Sequence, residues 1–71
     1  MAKAILATIS ETAEMVSKDP MNWARTETLV KTAVKKIQSC GVCKYSALHM
    51  LTTGLDDIYA FAILERMRQQ A

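Results

Sequence analysis

Backbone breakers are nearly absent from this sequence: Gly41, Gly54 and Pro20 are its only glycines and its only proline. With 51% hydrophobic residues, that scarcity excludes a disordered segment, which stays unpacked through polar, Pro- and Gly-rich composition. No Asn-Gly or Asp-Gly pair occurs, and strict alternation of apolar and polar residues is not sustained, so β-hairpins are not expected. A bilayer-crossing run of about 20 apolar residues is missing. The apolar stretch after Met1-Ala2-Lys3 soon runs into Glu11 and Glu14, too early for a secretory leader. Two cysteines without such a leader fit a reducing compartment, and the expected location is the cytoplasm. One-sided charge is lacking too: nine basic and seven acidic residues give +2, which names no partner.

What is present is helical periodicity in a chain sized for one domain, 1–71. The first helix is expected over about 4–17, with Ile5, Leu6, Ile9, Thr12, Ala13 and Val16 as its apolar stripe. Asp19-Pro20 stops it, because a residue before proline is pushed out of the α region, and the same pair suits the start of a second helix. That helix runs to about Cys40 with Trp23, Val30, Ala33, Val34 and Ile37 inward, and Glu27 precedes Lys31 in the favourable i,i+4 order. Gly41 suits a left-handed C-terminal residue, with Val42 folding back on Ile37. A third, short helix over about 45–53 buries Ala47, Leu48 and Leu51 and ends at Gly54. The fourth starts at Asp56 or Asp57 and reaches about Gln69.

Within the fourth helix, Ile58-Tyr59-Ala60-Phe61-Ala62-Ile63-Leu64 is apolar without interruption. At about 100° per residue these side chains point all round the axis. Leu55, Ile58 and Ala62 form one seam; Tyr59, Ala60, Ile63, Leu64 and Met67 form another, with Phe61 apart. One seam can pack within the chain and the other needs cover. A chain this short rarely supplies a large core without a disulfide, a metal or a second copy. The expected architecture is therefore all-α, a compact four-helix domain with short corners, homodimeric through the C-terminal helix. Tyr59, Phe61, Ile63, Leu64 and Met67 are the expected partner or dimer interface.

Chemistry-bearing constellations are sparse. Cys40-Gly41-Val42-Cys43 with His49 offers two thiolates and one imidazole, short of the four ligands of a structural zinc site. No second histidine completes the set, and packing cysteines at a helix cap are the plainer reading. Arg25, Lys31, Lys35, Lys36 and Lys44 form a basic patch opposed only by Glu27, open to phosphates or to water. The pI of about 8.7 is modest for a nucleic-acid binder. A helix-turn-helix fails on chemistry, because its reading helix would open with Asp56-Asp57 and the apolar run rather than with base-reading side chains. No dyad partner for His49 and no Gly-rich phosphate loop is apparent. The expectation is a non-enzymatic, cofactor-free interaction protein, a regulator or inhibitor that binds itself and a larger protein target but no membrane. The alternatives are a nucleic-acid accessory protein using the second helix, and a metal or thiol switch at Cys40, Cys43 and His49.

Overall fold

Each corner of the chain is set by a few local bonds. The computed structural model describes residues 2–55 and 58–70, which form α1 (Ala2–Lys18), α2 (Trp23–Gln38), α3 (Lys44–Gly54) and α4 (Ile58–Gln70), with no strand among them. Pro20 does not begin α2. It occupies the second position of a turn closed by Asn22 N–H donating to the Asp19 carbonyl at 3.2 Å, where a fixed φ is favourable. Asn22 then caps α2, its side-chain oxygen accepting from the Arg25 backbone N–H at 3.1 Å. At the far end Gly41 takes φ +89°, and its N–H reaches the Gln38 carbonyl at 3.0 Å, as in the inner bond of a Schellman cap. Val42 packs against the core beyond it, as its position predicts.

α3 ends at Gly54, as expected, and Leu55 provides the cap through its N–H to the Leu51 carbonyl. Ile9 explains the glycine: a Cβ at position 54 would overlap Ile9 Cγ2, so α1 and α3 approach closely only without one. The expected start of the fourth helix at Asp56 or Asp57 lies outside the described residues.

α2 and α3 form the central pair, each packing on all three other helices, while α1 and α4 each lie against that pair. The core is built from Val16 of α1, Val30, Ala33, Val34 and Ile37 of α2, Ala47, Leu48 and Leu51 of α3, then Leu55, with Ala60, Ile63 and Leu64 of α4. The chain exposes 4525 Å², against about 4,400 Å² expected of a folded monomer of 7.9 kDa. A single copy thus closes its own core.

Two partly or fully buried threonines keep their hydroxyls bonded inside these helices. Thr12 is almost fully buried and its hydroxyl donates to the Thr8 carbonyl at 2.7 Å, and Thr52 does the same to Leu48 at 2.8 Å. Thr26 differs: it is wholly buried, and its hydroxyl has no partner among the described residues. A buried hydroxyl left unmatched costs about 1–3 kcal/mol. Thr26→Val, which keeps the shape and removes the orphan group, is expected to raise stability by about 1 kcal/mol in urea unfolding. A lowered midpoint would show that the hydroxyl makes a stabilising bond.

Candidate functional site

Because Asn22 caps α2, Trp23 is held at the helix mouth beside the start of α4. Its indole meets the Tyr59 ring edge to face, with centroids 4.9 Å apart and planes at 80°. Tyr59 donates its hydroxyl to Met21 Sδ at 3.0 Å, so the turn before α2 and the first turn of α4 are pinned together. The joint is not closed over. Met21, Trp23, Ile58 and Phe61 are 69%, 44%, 76% and 40% exposed. Ile58 and Phe61, one helical turn apart on α4, are a second exposed apolar pair; at about 100° per residue Phe61 lies about 160° round the axis from Tyr59, on another side of the helix.

The interface residues expected on the last helix divide. Ile63 and Leu64 are sealed in the chain's own core, which corrects their assignment to a partner surface. The seam of Ala60, Ile63 and Leu64 is the one that packs on α2 and α3, and Met67 is half-buried against it. Ile58, expected in the inner seam, points outward instead. Tyr59 and Phe61 keep contact with the surface. Trp23 and Leu6, read as inward residues of their stripes, are likewise exposed. The signal for Leu6 was available: it sits 100° from Ile5, at the stripe's edge.

The five basic residues do not form one patch. Lys31, Lys35 and Lys44 line a groove of about 260 Å³ with Val34, Gln38 and Met67, where the end of α2, the start of α3 and α4 meet. Lys36 faces the other way, into a narrow cleft between α1 and α2 that also holds Glu11 and Met15. Arg25 is half-buried, and its Nη1 is shut away from water with no partner among the described residues. Lys31 also holds Glu27 at 3.2 Å, the i,i+4 pair read from the sequence.

The cysteines are both free thiols, Cys40 half-buried and Cys43 exposed at the head of α3. Cys43 Sγ lies 3.3 Å from Ser46 Oγ. Hydrogen bonding from the Ser46 side chain, then from its backbone, holds this thiol below the ordinary cysteine value. His49 lies elsewhere, in an apolar groove of about 540 Å³ between α1 and α3 that Ile5, Leu6, Ile9 and Met50 also line. Among the described residues no three His, Cys, Asp or Glu side chains converge on a point where a metal ion could sit, so Cys40, Cys43 and His49 are not a ligand set. None of the described helices is long and apolar enough to cross a membrane.

Compared with protein-family models, with curated proteins and with solved structures, the chain matches none.

Proposed function

We propose that this chain is a small non-enzymatic interaction protein of the cytoplasm, a regulator that binds and covers a surface of a larger protein target. The observation that supports this reading is the exposed apolar surface around the start of α4: Met21 and Trp23 gathered on Tyr59, and the pair Ile58 and Phe61 on the same first turn. These side chains lie outside the cluster of twelve buried apolar residues that forms the core, and four of them are at least 40% exposed. Tryptophan and tyrosine are the residues that most often dominate binding energy at protein interfaces, and methionine adapts to a partner's relief. Ile58 and Phe61 also supply what remains of the proposed self-pairing through α4. A second copy laid across that turn would shield both side chains whenever no target is bound, so self-pairing and target binding compete for one surface.

A single experiment addresses target and dimer together. Phe61 is replaced by a photo-crosslinking phenylalanine analogue, with the same analogue at exposed Ser10 on α1 as the control. Irradiation in host extract is expected to give discrete products from position 61 only: one of twice the chain's mass and one with a larger protein. Products that are diffuse, or equal at positions 61 and 10, would remove the aromatic end as a docking surface.

A further inference from the structure

The basic groove carries a statement about what kind of partner segment this chain accepts, and it rests on the interaction reading above. We propose that the groove lined by Lys31, Lys35 and Lys44 receives an acidic stretch of a protein partner, with one apolar side chain of that stretch seated on Val34 and Met67.

Charge complementarity supports the acidic part. Three of the six residues that line the groove are lysines, and none is a carboxylate. Glu27 engages Lys31 from the side, whereas Lys35 and Lys44 have no ion pair among the described residues. No described carboxylate neutralises these two lysines. The floor supports the apolar part. Val34 and Met67 supply its apolar lining; half-buried Met67 offers most of the accessible surface, and its flexible thioether can shift to admit a guest. A space of about 260 Å³ is below the usual range for small-ligand pockets and suits one anchoring side chain.

The same features disfavour a nucleic-acid backbone. A phosphodiester chain has no apolar group for Val34 and Met67, and the groove's lining includes no aromatic ring on which a base could stack.

The test is selection of a displayed random-peptide library on the intact chain, with the winning peptides remade and measured in solution. Winners are expected to carry Asp or Glu on either side of a Leu, Ile, Phe or Met. Their affinity should fall about tenfold on the Lys35→Glu, Lys44→Glu double variant and fall with added salt. It should be unchanged by Lys3→Glu with Lys18→Glu, exposed lysines of α1. Thermal unfolding checks that the groove variant is folded, and the neutral Lys35→Gln, Lys44→Gln pair takes its place if it is not. Uncharged winners, winners indifferent to both groove variants, or tighter binding of a single-stranded oligonucleotide to the same lysines would each overturn the proposal. The two surfaces fail separately. Groove-independent peptides leave the aromatic end untouched, while loss of crosslinking at position 61 with charge-dependent peptide binding leaves the groove standing.

Discussion

Leu64→Ala is expected to remove about 2–5 kcal/mol of stability, the usual cost of truncating a fully buried leucine and leaving a cavity. A domain of 71 residues has only about 4–10 kcal/mol in total. The variant should therefore unfold well below the parent's urea midpoint, or lack a cooperative transition altogether. Ile58→Ala, six positions earlier on the same helix, should change stability by about 0.5 kcal/mol or less, because Ile58 is 76% exposed. The pair separates an α4 that serves the chain's own core from one that faces outward with Leu64. Equal, small losses from both substitutions would contradict the inward seam of Ala60, Ile63 and Leu64.

Gly54→Ala should be destabilising by about 1–3 kcal/mol, the range for forcing extra volume into a packed contact. The sign is the informative part. In an ordinary helical position the same exchange stabilises by about 0.5–1 kcal/mol, since glycine loses the most backbone freedom on folding. Here the added methyl would occupy the place of Ile9 Cγ2. Ile9 is β-branched and sits in a helix, so its χ1 has little freedom to swing aside. In an Ile9→Ala background the Gly54→Ala penalty should vanish or reverse, which a double-mutant cycle in denaturant reads as a coupling energy. A Gly54→Ala variant more stable than the parent would mean that α1 and α3 are not held so close.

Much of the helical plan was legible because local chemistry and periodicity agree where breakers stand. Val30, Ala33, Val34 and Ile37 repeat at helical steps, and all four are buried in α2. Ala47, Leu48 and Leu51 do the same for α3. Gly41 was readable as a left-handed residue from its place after the last apolar position. Asp19-Pro20 is ambiguous in sequence, because a proline suits both a first helical turn and the second position of a β-turn. Asn22, two residues later, decided between them through its cap. The last helix resisted for a physical reason: seven consecutive apolar residues have no period, so nothing in the run says which side faces in. Only the positions of α2 and α3 choose Ile63 and Leu64 over Ile58. The lysines show the same limit. The 100° step from Lys35 to Lys36 already separates those two, but the meeting of Lys35 with Lys44 depends on the corner between α2 and α3.

The edge-to-face packing of Trp23 on Tyr59 has an optical consequence. Trp23 is the chain's one tryptophan, so all indole emission comes from its joint with Tyr59. At 44% exposure the ring sits between water and protein, and anything laid over it changes its surroundings at once. A change in the cover of that ring can be read from unlabelled protein by emission colour.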